Sequence, residues 1–205
     1  MTPSSKPKRI GLTGNIGSGK STVAQLLVEK GAALIDSDAL AKEATQDPDV
    51  LQRIADALGD DLIQDGELDR PKTAERVFGD KGARETLNGI IHPWVRRKSK
   101  ERAEALEQQD TPPEVVLMDI PLLYENGLER GLDSVIVVDA PLEVRIERVQ
   151  ERSGLSEQEV RARDAAQMPL KEKVERADYV VDNSGDKEKL EVQLGALWTD
   201  IKKES

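Results

Sequence analysis

The chain of 205 residues has 40 acidic and 30 basic side chains, and its net charge of −10 argues against nucleic acid as the main partner. At 37% hydrophobic and 34% charged it has the composition of a soluble α/β domain, and no apolar run approaches the roughly 20 residues needed to span a bilayer. Zero cysteines exclude disulfides and thiolate chemistry, and a single histidine, His92, leaves no basis for a zinc site or a Ser-His-Asp triad, so any metal is a hard, oxygen-bound ion.

In chain order, the polar start MTPSSKPKR has no apolar segment behind it to make a signal peptide, so a cytoplasmic protein is expected. RIGLT, residues 9 to 13, predicts a short buried strand. It runs into GNIGSGKST, residues 14 to 22, which matches G-x-x-x-x-G-K-[ST] in full. Val23, Leu26 and Leu27 then recur at helical spacing, so the loop joins a strand to a helix, as the motif requires. In such a loop the backbone N–H groups curl around a polyphosphate at the positive end of the new helix. Lys20 neutralises β and γ oxygens, and Ser21 offers its hydroxyl to Mg²⁺. The sequence therefore specifies a nucleoside triphosphate site.

AALID, residues 32 to 36, predicts the second strand and leads into DSDAL. Alternation puts Asp36 and Asp38 on one face if the strand continues; alternatively, Asp38 caps the helix that follows. Residues 39 to 113 form a long, charge-rich, helical block without a strong strand signal, and within it a helix is expected to start at Pro93. Its basic run RRKSK, 96 to 100, reads as a solvated helix face or as a neutraliser of an anionic acceptor. EVVLMD (114 to 119), SVIVVDA (134 to 140) and ADYVVDN (177 to 183) supply three more strands. The charged block from 152 to 177 reads as a mobile helical lid. Five strands separated by helices imply an α/β fold with a mostly parallel five-stranded sheet covered on both faces.

Asn15, Asn88, Asn126 and Asn183 are not followed by lysine, which removes the guanine-reading element of a GTPase; Asp119 is followed by Ile120 and Pro121, where an ATP-driven motor commonly has glutamate. A kinase needs a carboxylate for an acceptor hydroxyl, an acceptor pocket and closing cations. Asp38 supplies the first, with Asp36 or Asp119 assisting Mg²⁺ through water. Arg148, Arg152, Arg161 and Arg163 supply the last, unless they are solvated surface arginines. Kinases of other small metabolites and ATP-dependent switches share these features.

GLTGNIGSGKSTVA, LIDSDALAKE, IIHPWV, DIPLLYENGL, VIVVDAP, AAQMP and DYVVDNSG, in this order, resemble the dephospho-coenzyme A kinase family over nearly the whole chain. The resemblance implies transfer of the ATP γ-phosphoryl to the ribose 3′-hydroxyl of dephospho-coenzyme A, with a P-loop kinase core, a helical acceptor-binding insertion and a lid. It implies a core of about 8–38, 114–150 and 177–205, an insertion of about 39–113 and a lid of about 151–176. By position, Gly14, Asn15, Ile16, Gly17, Ser18, Gly19, Lys20, Ser21 and Thr22 would serve ATP, with Arg148, Asn183 and Gly185 around the lid and adenine. Asp38 would face the acceptor hydroxyl. His92, Pro121, Leu122, Leu123, Tyr124 and Glu125 would lie on the acceptor side with Arg152, Arg163 and Gln167, although a half-buried packing role for His92 is an equal alternative. Three positions depart from the family: Asn15, where glycine is frequent; Tyr124, where phenylalanine is; and Asp164, where an aliphatic residue is usual and where an aspartate could pair with a nearby arginine in the open lid. Small-molecule substrates are the only partners implied.

Overall fold

A computed structural model describes residues 6–203; the expected polar tail over residues 1 to 5 lies outside them. The strands are β1 (Lys8–Thr13), β2 (Ala33–Asp36), a pair β3 (Ile63–Gln64) and β4 (Glu67–Leu68), then β5 (Val115–Asp119), β6 (Ser134–Asp139) and β7 (Tyr179–Asp182). Helices α1 (Lys20–Glu29), α2 (Ser37–Ala44), α3 (Pro48–Leu58), α4 (Arg70–Val77) and α5 (Lys81–Glu107) precede β5. Helices α6 (Leu142–Ser153), α7 (Glu157–Ala165), α8 (Leu170–Arg176) and α9 (Lys187–Lys203) follow β6.

The five long strands form one sheet in the order β2-β5-β1-β6-β7. β1 is parallel to both β5 and β6, and β6 to β7. Such connections need crossovers, which the helices supply. β5 is buried along its whole length and so reads as a continuous apolar run rather than an alternating one. Ile10, Leu12, Leu117, Ile136 and Val138 of the sheet pack with Val23, Leu27, Leu190 and Leu194 of α1 and α9 in the main core. The register pairs Leu12 with Asp119 and Thr13 with Val137, so three strands end at one edge, where open parallel sheets place ligands.

Contacts divide the chain into two units, one formed by residues up to Ile35 with those from Leu106 onward, the other by Asp36–Ala105. In the second, Trp94 is buried and donates its indole N–H to Asp47 Oδ2 at 2.8 Å, while Asp47 Oδ1 caps α3. This unit also contains the β3–β4 hairpin, which the sequence reading passed over. Its turn is Asp65-Gly66 with φ of 53° and 81°, the left-handed pair that a two-residue hairpin turn requires. The helix expected from Pro93 begins at Lys81 instead, with Pro93 inside it. Proline forfeits only the hydrogen bond to Gly89, four residues earlier, and the buried face carrying Ala83, Ile90, Trp94 and Ala103 outweighs that loss.

Candidate active site

The loop from Gly14 to Gly19 leaves β1 and enters α1 at Lys20. Gly17 and Gly19 have φ of 78° and 85°, values that side chains with a Cβ avoid. A Cβ on Gly17 would strike the carbonyl of Arg145, and one on Gly19 the side-chain amide of Asn183. Gly19 is the N-cap of α1 and provides no side-chain acceptor, so the first-turn N–H groups keep their electropositive character for an external anion.

Side chains from outside the loop fix its peptide planes. Arg145 NH1 donates to the carbonyl of Ile16 at 3.2 Å, and Asn183 Nδ2 donates to that of Ser18 at 2.8 Å. In a trans peptide the N–H points opposite to the C=O, so these bonds turn the N–H groups of Gly17 and Gly19 to the other side of the loop. The Ile16 N–H is taken by Gln167 Oε1 at 2.8 Å, and Ser18 N–H by the Asn15 carbonyl at 3.1 Å.

Three polar features line the cradle. Lys20 is ion-paired with Asp119 at the end of β5, and the two side chains are 17% and 8% exposed. Ser18 Oγ is buried without a hydrogen-bond partner among the described residues. So is Arg148 NH1, which would lie 3.7 Å from a Cβ on Gly19. A buried cationic N–H without an acceptor is costly unless a ligand supplies one.

Ser21 is exposed in the first turn of α1, and Asp119 is nearly buried at the strand end. The described residues contain no cluster of three or more His, Cys, Asp or Glu side chains able to hold a metal. Mg²⁺ in phosphoryl-transfer sites takes one or two protein oxygens and completes its shell with phosphate and water, so a hydroxyl with one carboxylate fits it.

The turn after β5 carries the predicted Pro121, Leu122, Leu123, Tyr124 and Glu125. The Pro121 carbonyl accepts from Thr13 Oγ1 at 3.0 Å; Leu123 is fully buried and Leu122 is exposed. Tyr124 is buried, donates its hydroxyl to the Arg176 carbonyl at 3.0 Å and lies under that guanidinium at 4.3 Å. Burial, with the Asp178 charge, raises its pKa, so it remains a donor. Glu125 Oε1 accepts from Met168 N–H at 2.9 Å and pairs with the fully buried Lys173 at 2.8 Å. Burial pushes its carboxyl up, but the Lys173 ammonium and Met168 N–H outweigh that and hold it below the ordinary range.

Around α7, Asp164 finds its arginine in Arg145, 2.5 Å away, and not in Arg148, Arg152, Arg161 or Arg163. Arg161 is engaged with Glu143 at 2.9 Å and Glu157 at 2.7 Å, while Arg152 and Arg163 are exposed. Gly185 is exposed in the turn that follows Asn183. Arg145 was missed by the sequence reading, although it lies four residues before the buried Val149 and so on the inner face of α6.

β2 stops at Asp36, the first residue of the second unit, and α2 starts at Ser37, so Asp36 and Asp38 do not share a strand face. Asp36, not Asp38, caps α2: its Oδ1 accepts from Asp38 N–H at 2.8 Å and Ala39 N–H at 3.1 Å. The Asp38 carboxylate is exposed. His92 is exposed too, and the half-buried residues around it are Ile91 and Val95. What burial its ring has, with the Arg96 charge added, lowers its pKa below the ordinary imidazole value, so it is neutral at pH 7.

A five-stranded parallel sheet, a glycine-rich turn into a helix, and a lysine and arginine facing the same turn define a P-loop kinase. The fold is shared with a shikimate kinase from Bacteroides thetaiotaomicron, with a TM-score of 0.52 at 16% identity over 95% of this chain and 98% of that one. A crystal structure from Thermus thermophilus matches with a TM-score of 0.80 and 43% identity, covering 95% of this chain and 97% of the other. The dephospho-CoA kinase family model matches residues 8–189. The dephospho-CoA kinase of Deinococcus radiodurans is 50% identical over 192 residues, 93% of this chain and 90% of the relative. The chain belongs to the dephospho-CoA kinase family.

Proposed function

We propose that the cradle from Gly14 to Thr22 holds ATP for phosphoryl transfer to dephospho-coenzyme A, with the residue roles given below. As a member of its family the chain is a phosphotransferase with an alcohol acceptor. The ATP γ-phosphoryl passes to the ribose 3′-hydroxyl of dephospho-coenzyme A, giving coenzyme A and ADP, the last step of coenzyme A synthesis. The observation that carries the site assignment is Arg148 NH1, buried without an acceptor among the described residues beside the left-handed turn at Gly19.

Lys20 exchanges Asp119 for the β and γ oxygens, and the loop amides and Arg148 spread over the remaining charge. Asp38 accepts the proton of the attacking hydroxyl as the new O–P bond forms and the bond to the β–γ bridging oxygen breaks. Its exposure and its release from capping duty support that role. Ser21 and Asp119 would hold Mg²⁺, which supplies charge neutralisation on the transferring group when bound. Residues 39–113 form the acceptor-binding insertion and 151–176 the lid, with His92, Arg152 and Arg163 contributing to acceptor binding. Asn183 and Gly185 border the adenine. The reading needs no nucleic acid, membrane or protein partner, and among the described residues no helix is long and apolar enough to cross a membrane. A cytoplasmic location belongs to the same proposal.

The test is ADP release from ATP and Mg²⁺, with and without dephospho-coenzyme A, with mass detection of the product. ADP release matched by an acceptor heavier by one phosphoryl group is expected. ATP binding without stimulation by that acceptor would overturn the acceptor assignment and keep the P-loop.

A further inference from the structure

The segment from Asp164 to Met168, at the end of α7, grips the P-loop through three hydrogen bonds and holds Arg145 of α6 through a fourth contact, an ion pair. Asp164 Oδ1 accepts from Asn15 Nδ2 at 2.9 Å and from Arg145 NH1 at 2.5 Å. The Met168 carbonyl accepts from the same Asn15 amide at 3.2 Å, and Gln167 Oε1 takes Ile16 N–H at 2.8 Å. Asn15 and Arg145 are 3% and 4% exposed, so neither has water to fall back on.

Arg145 has a double task. Its Nε donates to the Ala140 carbonyl at 3.0 Å, which fixes the guanidinium on the turn before α6, and its NH1 reaches the Ile16 carbonyl. That bond sets the peptide plane carrying the Gly17 N–H. A buried guanidinium needs a counter-charge. Asp164 supplies it at ion-pair distance.

We propose that Asp164 is a positioning residue for phosphoryl transfer: by holding Arg145 and Asn15 it fixes the P-loop peptide planes that present the Gly17 N–H to the ATP phosphates, and it makes their geometry depend on the seating of α7. The proposal rests on the assignment of this loop to ATP. Asp164 touches no reacting atom; it acts through Arg145 and Asn15. On the same segment Met168 N–H is held by Glu125, so the turn after β5 and the P-loop are fastened to one piece of chain. The acidic carboxyl of Asp164 agrees with this. Burial raises it, but Arg145 and Asn15 outweigh burial and hold it below the ordinary carboxylate range.

The experiment compares Asp164→Leu, Asp164→Asn, Asn15→Gly and the Asp164→Leu/Asn15→Gly double variant in steady-state kinetics, with ATP binding and melting temperature measured in parallel. For Asp164→Leu we expect KM for ATP to rise about tenfold and kcat to fall, with KM for dephospho-coenzyme A within about twofold of wild type. Asp164→Asn keeps an oxygen acceptor and is expected to recover most of the ATP affinity. Asn15→Gly is expected to add less in the Asp164→Leu background than in the wild type, since both variants break one connection. A lower melting temperature with unchanged KM for ATP, or additive effects of the two substitutions, would overturn the inference and leave the ATP site standing. If Asp164→Leu does not fold, Asn15→Gly decides: unchanged ATP affinity in that variant would overturn it. Wild-type protein that fails to bind ATP would overturn the P-loop assignment itself, and this inference with it.

Discussion

The side-chain amide of Asn183 donates to the carbonyl of Ser18 at 2.8 Å, tying the turn after β7 to a loop 165 residues earlier. Asn183 is only 7% exposed, so the Ser18 carbonyl has no ready replacement for this donor. Asn183→Ala is expected to cost about 1–3 kcal/mol of stability by leaving a buried acceptor unsatisfied. The Ser18–Gly19 peptide plane also loses its anchor, so KM for ATP should rise. Thermal melts and initial rates at varied ATP check both; a stability loss with unchanged KM would confine Asn183 to packing.

Lys20→Met is expected to lower kcat by about 10³-fold or more, a loss of roughly 4 kcal/mol of transition-state stabilisation. The variant also removes the Lys20–Asp119 ion pair, whose side chains are 17% and 8% exposed. A modest stability loss should therefore accompany the kinetic one. Rates are compared per folded enzyme, with circular dichroism as the control, and turnover within about tenfold of wild type would remove Lys20 from the transition state.

Much of this site was legible because glycine and lysine at fixed spacing leave few alternatives. Gly14, Gly17, Gly19 and Lys20 lie where the motif puts them, and all five long strands were visible as short apolar runs. Arg145 and Lys173 were not legible as buried, since an arginine or lysine on a charged helix reads as solvated until its partners, Asp164 and Glu125, are brought in from elsewhere in the fold. Pro93 misled because proline is a good first helical residue; only the buried face extending back to Ala83 keeps the helix going through it. The hairpin at Asp65-Gly66 had its turn signal in the sequence, but strands of two residues give no alternation to read.

The neighbouring aspartates of DSDAL separate cleanly by substitution. Asp36→Ala removes the α2 cap and is expected to cost about 1 kcal/mol of stability. Asp38→Asn changes an exposed side chain that caps nothing, so its melting temperature should stay at the wild-type value. Its kcat should nevertheless fall about 10²-fold or more, with KM for ATP nearly unchanged. Undiminished turnover in Asp38→Asn would end its assignment as the base.

Asp164 also sets an acid limit. Its folded pKa lies below the ordinary value, so its contribution to stability is complete above that value and is lost as pH falls through the lowered folded one. Wild type and Asp164→Asn should therefore differ most in melting temperature at pH 6 to 7 and converge below about pH 4. Melts across that range are the measurement. A constant difference down to pH 2 would assign the effect to shape and not to charge.

Arg148 gives the sharpest separation of function from stability. Its NH1 is buried without an acceptor among the described residues, which costs the folded protein stability. Arg148→Met keeps the length of the stem and removes the unsatisfied group. The variant is therefore expected to be as stable as wild type or more so, by up to about 2 kcal/mol. In the same protein kcat/KM for ATP should fall about 10²- to 10³-fold, because the cation over the phosphates is gone. Stability from chemical denaturation and rates at varied ATP decide the matter together. A variant that is destabilised and still turns over normally would make Arg148 a packing residue, whereas one that is stable and slow identifies a side chain kept for the phosphate it meets.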